Sequence, residues 1–507
     1  MSESLKVLRR KKHAILIIIL ALSAFVHLWN AGAFPDLFYD EGVYMRRAMH
    51  IQAGLGPQEG FFYDHPYFGQ IFLAGMLSAV GYPASLHPSP TADSIASLYL
   101  VPRLLMGILA VADTFLVFKI SEKYYGRGVA TAASLLFAVM PITWFTRRIL
   151  LDSILLPFVL LSVLLAIYSK DSKHKSSTAI LSGVCMGIAI FTKEYMAVMI
   201  PLLIFIFYKN GEIKRIWLWL VPVILIPLIW PAESLARGEL NLWFGDIVLQ
   251  AGRSNGGLPE LLGGFLVYDP VLFIVGFAGI AYMATKRRLF PLLWSIPFLA
   301  FFSVVNFVQY FYWIPIIPVF CIAGGWMIMD VKKQIGSVNL SYVILASIAV
   351  FGLTCSVLLI TTNISAQTES IAFVSSYLAS DRNATVISSP VYSWIFHYVF
   401  HDKHVFADFR DLLYCPVAAK DIVLVADPHF RAHLGDGRPL SIVYGNTTTI
   451  RKFSSDIFGY DTGLYPYTNL RENFEGSSIE IRTADKLIVT GVTQERGNYD
   501  LCSDYFG

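Results

Sequence analysis

Charged residues are scarce in this chain, at 15% of its 507 residues. Soluble globular proteins carry about 25% charged residues. This chain therefore has too few charges to cover a water-facing surface on every side. Hydrophobic residues reach 55%, and the mean hydropathy is +0.58. The apolar excess predicts a polytopic integral membrane protein that is mostly α-helical.

Cysteine is also rare, with five residues in the chain. Cys185, Cys321 and Cys355 fall in apolar runs, where cysteine is usually a small buried hydrophobe. Cys415 and Cys502 lie in the polar C-terminal part. A disulfide between them would require a location outside the cytosol, and the sequence leaves that pairing open.

Several motif classes are missing as well. No Gly-rich phosphate loop, kinase motif or hydrolase elbow occurs, which argues against a nucleotide-fuelled reaction in the cytosol. The net charge of +3 and the lack of nucleic-acid-binding motifs predict no nucleic-acid partner. His397, His401 and His404 form a cluster in the sequence. His397 and His401 are spaced i, i+4, but no third ligand stands at the usual zinc spacing relative to this pair, so a zinc site is the less favoured interpretation.

Apolar runs recur along the first 362 residues. A bilayer core about 30 Å thick needs about 20 mostly apolar residues per helix. The first run follows a basic N-terminus without a convincing cleavage site, so we interpret it as an uncleaved helix. About eleven runs approach the length of a span, at 14–33, 97–120, 128–146, 151–169, 177–192, 195–208, 216–234, 269–285, 291–307, 310–329 and 340–362.

Basic residues in alternate short loops predict the orientation, because positively charged loops stay cytoplasmic. The N-terminus is then cytoplasmic, in the plasma membrane or its equivalent, and residues 34–96, 235–268 and 363–507 lie outside. The predicted cytoplasmic loops contain Lys119, Lys123 and Arg127, then Lys170, Lys173 and Lys175, then Lys209, Lys214 and Arg215, then Lys286, Arg287 and Arg288, then Lys332 and Lys333.

Two domains are predicted. Residues 1–362 form a transmembrane domain with the external interfacial loop 34–96, and residues 363–507 form a soluble extracytoplasmic domain of α/β or α+β class. Within that loop, the short apolar stretch 67–82 suits an interfacial helix. Three glycosylation patterns agree with an outside location. The patterns begin at Asn363, Asn383 and Asn446, and the strand-like runs of the tail include 385–387, 421–425 and 486–489.

The first external loop contains adjacent acids, Asp40 and Glu41, directly after a membrane helix, and later the segment Asp64-His65-Pro66. A carboxylate at the water–lipid boundary is partly desolvated, which raises its pKa toward that of a useful general base. The alternative is that the two acids only solvate a helix end.

A second charged group, Arg147, Arg148 and Asp152, stands at the external turn between two predicted spans. Arginine binds phosphate through forked hydrogen bonds. An unpaired charge entering a membrane helix costs about 2.5–3.5 kcal/mol, which suggests a use for Asp152. The alternatives are an Arg–Asp pair that ties the turn, or Asp152 as a helix N-terminal charge.

Two further stretches have a plain and a functional interpretation. Lys193-Glu194 lies between two short spans, where an ion pair at the hairpin tip is favoured over contact with a lipid phosphate. The amphipathic loop 235–268 suits either a helix that closes over the site or an ordinary surface helix.

Taken in order, these motifs resemble the protein O-mannosyltransferase family and its C-type glycosyltransferase relatives, including the bacterial aminoarabinose transferases that modify lipid A. The resemblance covers roughly residues 14–330. The residues that carry it are Asp40-Glu41 with Tyr44 and Ala48, Asp64-His65-Pro66 with Gly69, Arg148-Ile149-Leu150-Leu151-Asp152-Ser153, and the run from Tyr310 to Pro318.

The resemblance implies the C-type glycosyltransferase fold and a membrane enzyme whose donor is a sugar, mannose or another hexose, on a polyprenyl or dolichyl phosphate. It implies inverting transfer to an acceptor hydroxyl on the external face, with a divalent metal in some relatives. It also implies residue roles: catalytic acids Asp40, the base, and Glu41; donor-phosphate binding by Arg148, Arg147 and His65; acceptor or metal orientation by Asp152, Asp64 and Tyr44.

The chain departs from the family in two places. His65 is followed by a single proline where relatives often have two, and the inserted β-trefoil domain of the protein-mannosylating branch is missing. The acceptor therefore stays open among protein, lipid and glycan. The alternative function is a transporter or lipid flippase. Transporters place charges at the bilayer midplane and show inverted repeats, whereas these charges stand at helix ends without a repeat, which favours the enzyme.

Overall fold

The computed structural model describes residues 3–59, 62–254, 256–335, 338–380, 384–413, 417–419, 421–455 and 478–489. Helices dominate this part of the chain. The α-helices are α1 (Glu3–Leu28), α2 (Tyr39–Gln52), α3 (Phe68–Ala79), α4 (Ala92–Tyr125), α5 (Arg127–Val139), α6 (Leu151–Tyr168), α7 (Lys175–Ile190), α8 (Ile200–Lys209), α9 (Ile216–Leu225), α10 (Ile229–Ala236), α11 (Leu240–Gly252), α12 (Leu258–Tyr268), α13 (Pro270–Thr285), α14 (Leu289–Val304), α15 (Ile317–Ile335), α16 (Val338–Ile360), α17 (Ala366–Ser380), α18 (Pro390–Trp394), α19 (Pro428–Ala432) and α20 (Arg438–Asn446).

The helices up to α16 form one bundle with a continuous apolar core. Helix α4 packs against α1, α5 and α6, and α15 packs against α5 and α13. Small residues permit the closest approach, as is common where helices pack within a membrane. A Cβ atom on Gly279 of α13 would lie 2.5 Å from the carbonyl carbon of Ala323 on α15. Any larger residue at position 279 would separate these two helices.

Each of the predicted apolar runs coincides with a helix, but fewer of these helices are full spans than predicted. Among the described residues, four stretches are long and apolar enough to cross a membrane, and two bent helix pairs raise the number to six. The remaining apolar helices have shorter apolar stretches within the described residues, so the predicted number of eleven spans is not confirmed. The full-length stretches are Ala92–Tyr125, Leu151–Tyr168, Ile213–Ala236 and Leu340–Ile360.

The tail forms a separate layer that contains all the described strands, as predicted from its strand-like runs. A four-stranded mixed sheet has the order β1-β3-β5-β4, with β1 parallel to β3 and the other neighbours antiparallel. A second, two-stranded sheet pairs β2 with β6. The strands are β1 (Thr385–Ile387), β2 (Val417–Ala419), β3 (Ile422–Ala426), β4 (Thr448–Ser454), β5 (Ser478–Ala484) and β6 (Leu487–Val489).

Helices on this sheet complete a small α+β core. Strand β3 is buried at every position, and its even-numbered residues pack with Phe406, Phe409, Phe430 and Leu440. Cys415, Cys502 and Asn383 lie outside the described residues, so the disulfide and that glycosylation site remain predictions.

The tail is joined to the bundle by buried hydrogen bonds. Trp394 Nε1 donates to the Tyr99 hydroxyl at 2.8 Å, and that hydroxyl donates to the Val391 carbonyl at 2.7 Å. Gln367 exchanges two hydrogen bonds of 2.6 Å with the backbone of Leu37. Because Leu37 lies two residues before α2, the tail positions the N-terminus of that helix.

Helix α2 approaches α18 at Gly42, where no side chain fits. A Cβ atom on Gly42 would lie 2.3 Å from the Val391 nitrogen and 2.4 Å from the Pro390 carbonyl carbon. We expect Gly42→Ala to destabilise the protein by about 1–3 kcal/mol, the usual cost of overpacking. Thermal unfolding of the purified protein measures the change.

The matched control is Gly75→Ala, on the exposed side of α3, where an added Cβ meets nothing within 4 Å. Alanine there should stabilise the helix by about 0.5–1 kcal/mol. Equal melting temperatures for the two variants would contradict the close packing of α2 on α18.

Candidate active site

The acids Asp40 and Glu41 occupy the first turn of α2, where the helix dipole favours negative charge. The Glu41 carboxylate turns inward. It accepts hydrogen bonds from the backbone nitrogens of Phe38, at 2.9 Å, and Ile149, at 3.0 Å. Glu41 thus fixes the start of α2 and connects it to the turn before α6.

Two arginines complete the surroundings of Glu41. Arg103 donates through Nε at 3.0 Å and Nη2 at 2.7 Å, and Arg148 through Nη1 at 3.1 Å. Burial alone would raise the pKa of Glu41, but Arg103 and Arg148 more than offset it and hold the pKa below its ordinary value. Glu41 therefore stays ionised inside a closed network.

Arg148 belongs to the same network. Its Nη2 donates to the Asp36 carboxylate, and its Nη1 donates to the Asp36 carbonyl at 2.7 Å. The guanidinium also lies over the rings of Phe38 and Trp144, at 5.0 and 5.1 Å from their centroids. Both terminal nitrogens of Arg148, expected from the sequence to hold phosphate, are thus engaged by the protein itself.

Arg147 points away from this network. Its Nη2 donates to the Trp29 carbonyl, and its guanidinium lies 5.5 Å from the centroid of the Phe34 ring. Its Nε and Nη1 are buried and have no hydrogen-bond partner in the part of the chain that the structure describes. The structure therefore separates the two neighbouring arginines, which the sequence had grouped as one phosphate site.

The environment of the Asp40 carboxylate differs from that of the Glu41 carboxylate. Its side chain is half-buried, and among the described residues no hydrogen bond or ion pair to its carboxylate is formed. Burial raises its pKa, Lys193 and His65 counteract part of that rise, and Asp64 and Asp152 add to it. These four groups come from three parts of the chain, with Asp64 and His65 in one segment and Asp152 and Lys193 in two others, so Asp40 faces a shared polar space.

Lys193, the cation that most counteracts the rise in the pKa of Asp40, is held by Asp152. Lys193 Nζ lies 2.7 Å from the Asp152 carboxylate, which also accepts a hydrogen bond of 2.5 Å from the Tyr195 hydroxyl. The Lys193 ammonium lies 4.9 and 5.1 Å from the ring centroids of Phe311 and Tyr312. The pair is almost wholly buried.

This pair corrects two sequence-based interpretations. The expected ion pair at the hairpin tip, Lys193 with Glu194, is wrong, because Lys193 turns inward to Asp152. The expected Arg–Asp tie at the turn is also wrong, because Asp152 pairs with this lysine, 41 residues away. An apolar run with one lysine at its end could not indicate which acid that lysine would meet.

The segment 62–67 forms another side of the polar space that Asp40 faces. Asp64 pairs with Arg47 of α2 at 2.7 Å, and His65 Nδ1 lies 3.9 Å from the Glu194 carboxylate. Burial would raise the pKa of Asp64, but Arg47 lowers it below its ordinary value. Tyr44, one turn after Asp40, is buried beside them.

Helices α10 and α11 hold this segment in place. The Asp246 carboxylate accepts from the Tyr63 backbone at 2.8 Å, and the Tyr67 hydroxyl donates to Glu233 at 2.7 Å. Of the two interpretations left open for the loop 235–268, a helix that closes on the site loop agrees with these contacts.

The C-terminal domain also reaches the site, which the sequence did not indicate. The Tyr39 hydroxyl, one residue before Asp40, donates to the Asp408 carboxylate and accepts from Arg410. The His429 ring lies 4.7 Å from the Tyr39 ring, centroid to centroid, and interacts electrostatically with Asp40. The tail therefore contributes side chains beside the catalytic candidate.

A divalent metal fits these residues poorly. Within the described ranges, no three His, Cys, Asp or Glu side chains come together as a metal site. Asp64 and Asp152, the two carboxylates that interact electrostatically with Asp40, already have cationic partners. We therefore derive no step through a metal. The tail histidines His397 and His401 line a separate cavity with Tyr398 and Asp402.

Comparison with known proteins agrees with this arrangement. Residues 92–233 match the family model described as dolichyl-phosphate-mannose-protein mannosyltransferase. This segment contains Arg103, Arg148, Asp152 and Lys193, although it is less than a third of the chain. No curated protein sequence matches the chain.

Solved structures match over nearly the whole chain. ArnT from Cupriavidus metallidurans bound to undecaprenyl phosphate superposes with a TM-score of 0.56 at 13% identity, covering 95% of this chain and 98% of that one. The archaeal oligosaccharyltransferase AglB from Archaeoglobus fulgidus, in complex with an inhibitory peptide and a dolichol-phosphate, has a TM-score of 0.54 at 11% identity, covering 90% and 75%.

These matches confirm the predicted resemblance and the predicted fold. The superpositions extend through the C-terminal domain as well as the helix bundle, since they cover nine-tenths or more of the chain. The chain therefore has the C-type glycosyltransferase fold, and over residues 92–233 it carries the sequence pattern of the dolichyl-phosphate-mannose-protein mannosyltransferase family.

Proposed function

We propose that this protein transfers a sugar, mannose or another hexose, from a polyprenyl phosphate to an acceptor hydroxyl on the external face of the membrane. The observation that carries the proposal is Asp40, a half-buried carboxylate that no described side chain neutralises by direct contact. Its raised pKa suits a general base, because a base is most effective when its pKa lies near the working pH.

The proposed reaction is a single displacement. The acceptor oxygen attacks the anomeric carbon and loses its proton to the Asp40 carboxylate. The bond from that carbon to the phosphate oxygen breaks, and polyprenyl phosphate leaves with both bonding electrons. One base suffices, since the phosphate monoester is already a good leaving group, and the configuration at the anomeric carbon inverts.

For the leaving phosphate we propose Lys193 and His65. Both interact electrostatically with Asp40, whereas the terminal nitrogens of Arg148 are engaged by Asp36 and Glu41. Asp152 and Tyr195 hold the Lys193 ammonium in place. On this view Arg148 positions α2, and Asp152 positions the cation. We propose that Tyr44 and Asp64 line the acceptor side, with Tyr39 and His429 beside them.

The direct test is the stereochemistry of transfer. Purified protein would be given polyprenyl phosphates of defined sugar and anomeric configuration, with short-chain alcohols, serine peptides and glycans as acceptors. NMR of the product is expected to show the inverted configuration. Retention would refute the single displacement, and lack of transfer from every lipid-linked donor would refute the donor class.

We expect Lys193→Met to raise the KM for the donor at least tenfold and to lower kcat, because the methionine cannot neutralise phosphate. Lys193→Arg should restore part of the donor affinity. Steady-state kinetics with varied donor separate the two constants. The control is Lys452→Met on exposed strand β4, which should leave both unchanged.

A rise in the acceptor KM alone would contradict this assignment. Thermal unfolding of the same variant distinguishes loss of phosphate binding from loss of the buried pair. If Lys193→Arg regains donor affinity but is as unstable as Lys193→Met, the result supports the phosphate role of Lys193.

A further inference from the structure

A second cavity lies at the opposite end of the bundle. Arg103 of α4 contacts Glu41 beside the candidate active site, and Lys123 stands 20 residues later on the same helix. At 1.5 Å per residue the two ends are about 30 Å apart, the thickness of a bilayer core. The cavity around Lys123 has a volume of about 540 Å³.

Cations from four separate parts of the chain, at or near helix ends, line this cavity. They are Lys123, Lys170, Lys209, Arg287 and Arg288, and the one acid among the lining residues is Asp171. That carboxylate lies 2.5 Å from Lys123. In the described ranges no carboxylate pairs with the other four cations, so the cavity holds an excess of positive charge.

Aromatic rings form the inner wall. Lys209 Nζ lies 5.1 Å from the centroid of the Tyr124 ring, which packs on Phe290 at 4.8 Å. The hydroxyl of Tyr125, another lining residue, is buried and has no hydrogen-bond partner among the described residues. A hydroxyl donor in a cavity lined by cations suits an anion with several acceptor oxygens, such as a phosphate.

The rim of the cavity is apolar and open to the outside of the bundle. Tyr208 is 70% exposed and Leu289 is 48% exposed, and both line the cavity. Ile204, one turn before Tyr208 on α8, is exposed as well. A ligand with a charged head and apolar chains would match both parts, with the chains lying along α8 and α14.

Basic loops on one membrane face are expected from topology alone, but topology does not require a cavity. The same basic segments carry Lys173, Lys214 and Lys286, which are as exposed as the cavity cations but do not line the cavity. This difference within single loops separates a built site from a diffuse basic surface.

We propose that this cavity binds the phosphate head group of an anionic phospholipid on the face opposite Asp40, which is the predicted cytoplasmic face. The site is independent of the proposed sugar transfer. Lys170, Lys209, Arg287 and Arg288 contact the phosphate, and Tyr125 donates its hydroxyl to it.

The test compares two triple variants of the full chain with equal charge change. The cavity variant is Lys209→Gln, Arg287→Gln and Arg288→Gln, and the control is Lys173→Gln, Lys214→Gln and Lys286→Gln. Native mass spectrometry counts phosphatidylglycerol retained from nanodiscs of phosphatidylglycerol and phosphatidylcholine. We expect at least tenfold weaker retention in the cavity variant and unchanged retention in the control.

Equal losses in both variants would overturn the proposal in favour of diffuse attraction. Displacement of the lipid by millimolar inorganic phosphate would show a site for free phosphate instead. If the triple variant does not fold, Lys209→Gln alone takes its place, and equal retention of phosphatidylcholine and phosphatidylglycerol by the unaltered protein would itself refute the site.

Discussion

Asp40→Asn is expected to lower the rate of sugar transfer by about 10²–10⁴-fold, the usual contribution of a general base. Asparagine keeps the size and polarity of the side chain but cannot take the acceptor proton. Because Asp40 forms no ion pair among the described residues, the variant should fold and insert normally. Single-turnover transfer by purified protein, with saturating donor and acceptor, measures the loss.

The matched control is Asp93→Asn, an exposed aspartate at the start of α4, in the same predicted external loop. It should transfer at the unaltered rate. Undiminished transfer by Asp40→Asn would remove Asp40 from the mechanism, whatever the phosphate ligands are.

The same base predicts a pH profile. Burial raises the pKa of Asp40 above the value of an ordinary aspartate, and only the deprotonated form accepts a proton. Activity should therefore fall on acidification, with its midpoint at a higher pH than an exposed aspartate would give. A profile that stays flat down to the ordinary pKa of an aspartate would contradict a base in this environment.

Glu41→Gln is expected to lower the free energy of unfolding by about 3–5 kcal/mol, the usual cost of removing one partner of a buried ion pair. The amide would leave Arg103 and Arg148 with a neutral partner in a fully buried position. Denaturant or thermal unfolding in a fixed detergent measures the change.

The control is Glu122→Gln at the other end of α4, where the carboxylate forms two surface pairs, with Lys119 and Arg127. Surface pairs contribute about 0–1 kcal/mol, so this variant should unfold almost as the unaltered protein does. Equal stability of Glu41→Gln and Glu122→Gln would show that the buried network is dispensable.

The sign of the pH effect follows from the lowered pKa of Glu41. Its ionised form is favoured in the folded state, so its stabilisation is complete above the ordinary pKa of a glutamate. It is lost as the pH falls through the lower, folded-state value. We therefore expect this contribution to disappear only in strongly acidic solution.

The sequence was sufficient to predict the helices, because apolar runs leave a local signal, whereas the role of Asp40 as the base stays a prediction. Apolar runs recur along the bundle, and Asp40 lies at the start of the helix that follows the first of them. The number of full spans could not be predicted as well, since several helices have shorter apolar stretches within the described residues than a span needs.

The division of labour between Asp40 and Glu41 could not be predicted. Adjacent helix residues point about 100° apart, so one carboxylate meets Arg103 and Arg148 while the other faces open space. Those arginines stand 62 and 107 residues after Glu41. No local sequence pattern indicates contacts over such sequence separations. The pairing of Lys193 with Asp152 could not be predicted for the same reason.

The hydrogen bond from the Tyr39 hydroxyl to the Asp408 carboxylate joins residues 369 positions apart in the chain. During synthesis, the loop that bears Asp40 leaves the ribosome long before Asp408 and Arg410 exist. The N-terminus of α2 therefore gains this one contact only after about four-fifths of the chain has been made, although Glu41 can meet Arg103 and Arg148 much earlier. The contact between the C-terminal region and the segment that bears Asp40 is therefore among the last contacts of the site to form.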